Sequence, residues 1–123
     1  MTAEEQKLHG LMGLCVRARQ AVFGEDGCLK SIRSGGCGVL LLDGRASQAT
    51  RDKYRGACRN AGVPMAELPE GMLGRATGKP GVAMAVNRGG LCDQIIRLLP
   101  QDREDQQDIA NNVGGANAEW QRI

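Results

Sequence analysis

The sequence VFGEDGCLK, residues 22–30, decides how the rest of the chain is interpreted. Its apolar start, Val22-Phe23, ends at Gly24 and leads directly into residues that favour a helix. Glu25 and Asp26 place negative charge in the first helical turn, where the helix dipole favours it. The stretch therefore predicts a short strand that is joined through a glycine to the amino end of a helix.

The amino end of this helix is a possible binding surface, because a first helical turn has unpaired backbone N–H groups that can bind anions or the polar edge of a nucleic acid. Lys30 and Arg33 lie three residues apart, so we expect them to share one face just behind the opening. Two interpretations stay open on this local pattern. The stretch is either an RNA-contacting helix start or an ordinary capped helix with solvated basic residues.

Length and charge divide the chain into a body and a tail. The 123 residues suffice for one domain with a modest core. Residues 1–100 hold 14 Lys and Arg against 9 Asp and Glu, a net charge of +5, whereas residues 101–123 hold 2 against 5, a net charge of −3. We expect residues 1–100 to form an α/β domain that favours an anionic partner, and the acidic, polar residues 101–123 to form a disordered tail.

Cysteine and histidine usage argues against a disulfide framework, a metal site and an enzyme. The five cysteines are odd in number, form no C-x-x-C pair and lie mostly among apolar neighbours, as expected of buried thiols in a reducing cytosol. His9 is the only histidine, and no serine or cysteine has a recognisable base nearby. We expect no metal and no cofactor. No signal pattern or membrane-length apolar run is present, so we expect a cytoplasmic protein without membrane contact.

Helical and strand patterns alternate along the body. Apolar periodicity, caps and glycine stops predict helices at residues 3–19, 25–34, 48–61, 70–77 and 91–99, and strands at residues 20–23, 39–42, 63–68 and 82–86. This alternation predicts an α/β fold, a three-layer α/β/α sandwich around a central mixed, mainly parallel four-stranded sheet. The third helix carries Arg51, Lys53, Arg55 and Arg59 on its outer face, which either touches RNA or is simply solvated.

With these segments placed, residues 7–99 resemble the kink-turn RNA-binding superfamily of the ribosomal proteins L-seven-Ae and L-thirty-e, and most closely its bacterial YlxQ-type ribosomal paralogues. The resemblance rests on LMGL at residues 11–14, on GEDGCLK at residues 24–30, on VLLLD at residues 39–43 and on LGRATGK at residues 73–79. It implies that the runs at residues 24–30 and 73–79 come together around structured RNA. The residues that it assigns to the RNA interface are Gly24, Glu25, Asp26, Gly27, Lys30, Arg33, Arg75, Gly78, Lys79 and Pro80.

The chain departs from the family pattern at two positions of this interface. In the kink-turn binders an Asn and a Glu read sheared G·A pairs, but Asp26 and Gly27 stand at those positions here, while Lys30 matches the family lysine. Aspartate lacks the donor amide of asparagine, and glycine has no side chain. We therefore expect weak binding of a standard kink-turn. Because both positions lie in the first helical turn, we also expect their exchange to Asn and Glu to be structurally mild.

Two classes of function follow from these observations. The first is a non-catalytic, ribosome-associated RNA-binding protein of bacterial type, expected to be a monomer, with ribosomal RNA or a kink-turn-like RNA as partner and ribosomal proteins as further candidates. The second is a protein-interaction module on the same fold with a partly lost RNA face. Salt-dependent retention of RNA separates the two, because phosphate contacts weaken as salt rises.

Overall fold

The computed structural model describes residues 1–99 and 121–122. Five helices and five strands are present in this part of the chain. In chain order they are α1 (Ala3–Arg17), β1 (Ala21–Phe23), α2 (Glu25–Ser34), β2 (Cys37–Asp43), α3 (Gln48–Ala61), β3 (Met65–Leu68), α4 (Met72–Thr77), β4 (Ala83–Asn87), α5 (Gly90–Leu98) and β5 (Gln121–Arg122). No helix among these residues is long and apolar enough to cross a membrane.

Local signals fix the helix ends. Thr2 and Glu5 form a reciprocal capping box at the start of α1, with both hydrogen bonds at 3.0 Å. Ser47 accepts the Thr50 N–H at the start of α3, and Gly62 ends that helix in the left-handed conformation. Helices α2 and α3 have the bounds that the sequence predicts, whereas α1 ends at Arg17, two residues early, and Arg19 has a φ of 59°.

A single sheet in the order β1-β4-β2-β3-β5 is covered on both faces. Strand β2 is buried along its whole length and alternates its side chains between the two layers. Val39 and Leu41 pack with α1, α4 and α5, whereas Leu40 and Leu42 pack with α2 and α3. The predicted three-layer α/β/α fold with a mixed sheet is thus confirmed.

The expectation of a mainly parallel sheet is wrong in its detail. Strands β2 and β3 are parallel, but β1 with β4, β2 with β4, and β3 with β5 are antiparallel. The reason is the connection from β3 to β4. A parallel arrangement requires a crossover that returns along the sheet, but α4 has only six residues, about 9 Å of helix, and stays at one end. Strand β4 therefore enters the sheet in reverse, between β1 and β2.

The predicted disordered tail at residues 101–123 lies outside the described residues except at Gln121–Arg122. These two residues form β5 on the outer edge of β3, opposite Glu67 and Ala66. The sheet therefore has the four predicted strands and a short fifth one, which covers part of an edge that would otherwise present unpaired backbone groups.

The two ends of the sheet differ in their residue composition. The carboxyl end is where β1, β2 and β3 finish and β4 begins, and it comprises residues 23–27, 43–47, 68–73 and 78–83. The amino end comprises residues 17–21, 33–37, 59–65 and 87–93. Strand register supports this division, because Phe23 lies opposite Met84 and Asp43 lies opposite Leu68.

Asp43 ties the loops of the carboxyl end together. Its side chain is completely buried, and its carboxylate accepts hydrogen bonds from the backbone N–H groups of Arg45, Gly71 and Leu73 at 2.9–3.0 Å and from the Arg45 guanidinium at 3.2 Å. Two of the backbone donors belong to the start of α4, which has no cap from its own Gly71. Burial alone would raise the pKa of the Asp43 carboxyl, but these hydrogen bonds together hold the pKa below its ordinary value.

We expect Asp43→Asn to lower the free energy of unfolding by about 2–4 kcal/mol at pH 7, because the amide turns an N–H₂ group toward donors that need an acceptor. The native pKa of Asp43 is depressed, so its stabilisation is fully present above the unfolded value of about 4 and is lost as the pH falls through the native value. The difference between wild type and variant in urea unfolding should therefore shrink as the pH falls below about 4 and through the lowered native pKa.

Asp52→Asn is the matched control, because it removes the same charge from an exposed side chain whose partners are the neighbouring Gln48 and Arg55. Its effect should stay within about 0.5 kcal/mol. An Asp43→Asn variant as stable as this control at pH 7 would refute the anchoring role of Asp43.

Candidate nucleic-acid interface

The carboxyl end of the sheet brings together two of the predicted runs. Residues 24–27 follow β1 at this end, and residues 78–80 precede β4, which lies beside β1 in the sheet. Gly24 and Gly78 have φ values of 88° and 72°, which favour glycine, and a Cβ at either position would meet nothing within 4 Å. Another backbone can therefore approach the chain closely at both positions.

The first turn of α2, which lies at the carboxyl end of the sheet, has no side-chain cap. Gly24 is the residue that caps this ten-residue helix, and no side chain hydrogen-bonds to the cap. The predicted acidic first turn is present, but the Glu25 carboxylate turns sideways to form an ion pair with Lys53 of α3. Asp26 is exposed. The first turn of α2 thus presents backbone N–H groups with no side-chain cap.

Gly27 is not an open position, contrary to the expectation that its replacement would be mild. A Cβ at Gly27 would lie 2.9 Å from Cγ1 of Val22, closer than a Cβ atom approaches its neighbours in real structures. Val22 is β-branched and its side chain has few alternatives. The strand β1 therefore packs on α2 at a distance that only glycine allows.

The loop at residues 78–82, which lies opposite the start of α2, is fixed by hydrogen bonds at its start, and it contains one of the two predicted cations of this segment and closely follows the other. The Thr77 hydroxyl donates to the Leu73 carbonyl at 2.7 Å and accepts the Lys79 N–H at 3.1 Å. Lys79 and Pro80 are exposed, as is Arg75, whose guanidinium lies over Gly71. The backbone before Lys79 is therefore held while its side chain remains free to reach a phosphate.

One predicted residue is not at this end. Arg33 lies in the last turn of α2, eight residues after Glu25, so it stands about 12 Å further along the helix axis. Lys30, in the middle of α2, is exposed on the same face as Asp26 and Arg33. The structure therefore places Lys30 between the carboxyl end and Arg33, about one helical turn from Arg33, and removes Arg33 from the carboxyl end.

Arg45 is a residue of this end that the sequence did not single out. It follows the buried Asp43 in the loop between β2 and α3, and its side chain is 48% exposed. Its guanidinium donates to Asp43 and, at 3.4 Å, to the Gly81 carbonyl of the opposite loop. The only sequence signal was an Arg two residues after an Asp at a strand end, and many loops share that pattern.

The proposed basic face of α3 is largely neutralised. Arg51 forms a bidentate ion pair with Glu67, Lys53 pairs with Glu25, and Arg55 pairs with Asp52. Arg59 forms no ion pair with any residue that the structure describes. Of the two interpretations of this face, the structure thus favours a surface tied up in local ion pairs.

Nucleophiles and metal ligands are not gathered at either end. All five cysteines are buried and unpaired, as the sequence predicts, and burial raises the pKa of the Cys37 thiol to about 11 and that of Cys58 to about 12. Such thiols stay protonated near neutral pH and are poor nucleophiles. Within residues 1–99 and 121–122, no cluster of three or more His, Cys, Asp or Glu could hold a metal ion.

Comparison with known proteins places this geometry in a family. No protein-family model matches the chain. The chain is 37% identical over 91 residues to the RNA-binding protein YlxQ of Bacillus subtilis, and the alignment covers 72% of this chain and 91% of YlxQ.

Two solved structures show the same fold. A protein of unknown function from Bacillus halodurans is 31% identical and superposes with a TM-score of 0.71 over 75% of this chain and 95% of its own. The 15.5kD RNA-binding protein of Giardia lamblia superposes with a TM-score of 0.59 over 80% of this chain and 92% of its own; at 16% identity it supports the fold alone. By its identity to YlxQ over most of both chains, the protein belongs to the YlxQ family, on the fold shared with the L-seven-Ae and L-thirty-e proteins.

Proposed function

We propose that this protein is a non-catalytic RNA-binding protein that recognises structured RNA through the carboxyl end of its sheet. Its partner is ribosomal RNA or a kink-turn-like RNA, and it acts as a monomer in the cytoplasm in association with the ribosome. The observation that carries the proposal is the meeting of the uncapped start of α2 and the loop at residues 78–82 at one end of the sheet.

The chemistry of this end suits RNA. The N–H groups of the α2 start are donors for base edges or phosphate oxygens. Gly24 and Gly78 leave room for a backbone or an unstacked base. Lys30 and Lys79 are exposed and form no ion pair with a described residue, so their charges remain available for phosphates. The name of its relative YlxQ, an RNA-binding protein, supports the same class of partner.

Shape and backbone recognition carry most of the affinity in this proposal. Asp26 offers only acceptors and Gly27 offers no side chain, so neither can make the base contacts of the kink-turn binders. The protein should therefore prefer folded RNA over unfolded RNA but discriminate poorly between a standard kink-turn and other irregular RNA.

One observation favours the alternative, a protein-interaction module. Glu25, Glu67 and Asp52 neutralise three cations near the proposed interface, which weakens its attraction for phosphates. The two functions differ in their dependence on salt. RNA binding should weaken steeply as salt rises, whereas a protein interface held mainly by apolar contacts should not.

The RNA interface predicts that Lys30→Ala and Lys79→Ala each weaken binding to every structured RNA. Each variant should lower the slope of log K against log salt by about 0.7–0.9, which corresponds to one phosphate contact. Gel shifts with a kink-turn RNA, its unkinked mutant and ribosomal RNA fragments at two or more salt concentrations measure this slope.

Lys7→Ala is the matched control, because Lys7 is an exposed cation on α1 outside the residue ranges of both ends. It changes the net charge equally but should leave the slope at the wild-type value. Slopes unchanged in both lysine variants would exclude the carboxyl end as the RNA interface.

A second prediction tests why a standard kink-turn should bind weakly. Asp26→Asn together with Gly27→Glu supplies the missing base readers, each worth about 1–3 kcal/mol, so affinity for the kink-turn over its unkinked mutant should rise at least about tenfold. The new side chain collides with Val22, so the double variant should also unfold at a lower temperature. Adding Val22→Ala should remove the collision and reveal the full gain.

The comparison of the double and triple variants, at fixed salt, separates the two effects. If neither variant prefers the kink-turn although both are folded, then Asp26 and Gly27 do not limit recognition and the backbone contacts decide it.

A further inference from the structure

The amino end of the sheet is an arginine surface that the proposed function does not use. Its residue ranges contain five arginines and, among the described residues, a single acidic residue, Asp93. The arginines are Arg17, Arg19, Arg33, Arg59 and Arg88. No other acidic residue of these ranges offsets the five arginines.

Three of these arginines are linked through neighbouring backbone. The Arg88 N–H donates to the Gly36 carbonyl at 3.1 Å, and Arg88 Nε donates to the Gly35 carbonyl at 2.8 Å. Gly35 ends α2 two residues after Arg33. On the other side, the Asn87 N–H donates to the Gln20 carbonyl at 2.9 Å, which places Arg19 next to the same strand end. Arg19, Arg33 and Arg88 therefore surround one patch of surface.

Ion pairing distinguishes the arginines of the amino end from the cations of α3 and from Arg45. All four ion pairs among the described residues involve Arg45, Arg51, Lys53 or Arg55, and none involves an arginine of the amino end. Arg19 and Arg33 also make no side-chain hydrogen bond to a described residue, and both are exposed. Their guanidinium groups keep all their donors for a partner.

The stability of the helices explains the presence of some of these arginines but not of all. Arg17, Arg33 and Arg59 occupy the last turns of α1, α2 and α3, where cations complement the helix dipole. That argument does not apply to Arg19, which follows α1 with a φ of 59°, nor to Arg88, which lies between β4 and α5. The backbone beside them is open, because a Cβ at Gly35, Gly89 or Gly90 would meet nothing within 4 Å.

We propose that Arg19, Arg33 and Arg88 form a second RNA surface that binds the phosphate backbone of a segment distinct from the one at the carboxyl end. The guanidinium fork matches phosphate geometry, and the glycine backbones allow a strand to approach. Strand β2 has seven residues, about 23 Å, so Lys79 at one end of the sheet and Arg88 at the other lie too far apart for one phosphate group to reach both. The protein thus bridges two segments of one folded RNA. This inference rests on the proposed function for the nature of the partner.

The test compares three double variants of equal charge change on one long ribosomal RNA fragment. Arg19→Asn with Arg33→Gln alters the arginine surface; asparagine tolerates the positive φ at position 19, and neither side chain makes a hydrogen bond within the described residues. Lys30→Ala with Lys79→Ala alters the carboxyl end. Lys7→Gln with Arg97→Gln is the control on the outer surface of α1 and α5.

The arginine variant should lower the slope of log K against log salt by about two phosphate contacts, 0.7–0.9 each, while the control leaves it unchanged. The quadruple variant that combines the arginine and lysine changes should lose more slope than either double variant. The losses of Lys79 and Arg19 should add, whereas Lys30 and Arg33, one turn apart on α2, can share a phosphate. Arg88→Gln added to the arginine variant should lower the slope further. Thermal unfolding checks that every variant is folded.

The outcomes separate this proposal from the proposed function. If the lysine variant weakens binding but the arginine variant behaves like the control, the second surface is refuted while the carboxyl-end interface stands, and an acidic protein becomes the remaining partner for the arginines. If only the arginine variant weakens binding, the arginine surface stands and the carboxyl-end interface fails. Wild-type protein that binds no RNA at low salt overturns both.

Discussion

The buried carboxylate of Asp43 is the interaction on which the rest of the carboxyl end depends. It lies at the end of a fully buried strand, where an uncompensated charge would be prohibitively costly. Three backbone N–H groups and the Arg45 guanidinium compensate it, and two of those donors open α4. Because α4 leads into the loop at residues 78–82, one carboxylate fixes where that loop begins relative to β2.

The reversed entry of β4 between β1 and β2 has a functional consequence. It places the start of β4 beside the end of β1, so the loop before β4 and the start of α2 meet at one edge of the sheet. A parallel β4 would have carried that loop to the other end. The four ion pairs among the described residues lie on α3 and at the end of β2, so the arginines of the amino end take no part in them.

The contact between Val22 and Gly27 shows a conflict between packing and recognition. A family-like glutamate at position 27 would read bases, but its Cβ would stand 2.9 Å from a half-buried Val22 methyl group that is hard to move. In this chain β1 packs closely on α2, and position 27 has no side chain that could contact a base. The full gain in base-specific recognition therefore requires a change in the strand as well as in the helix.

The sequence by itself determined the features that arise from neighbouring residues. Apolar periodicity, the glycines that bound α2, and the Ser47 cap and Gly62 stop of α3 suffice for the bounds of these two helices and for the existence of the four main strands, because each is a local balance of propensity and burial. The motif at residues 24–30, which begins with Gly24, was likewise recognisable from the sequence. Only the tertiary structure decided the direction of β4, the partners of Asp43 that lie 28 and 30 residues away, and the ion pair of Glu25 with Lys53. These depend on which segments meet in space, and local sequence pattern does not contain that information.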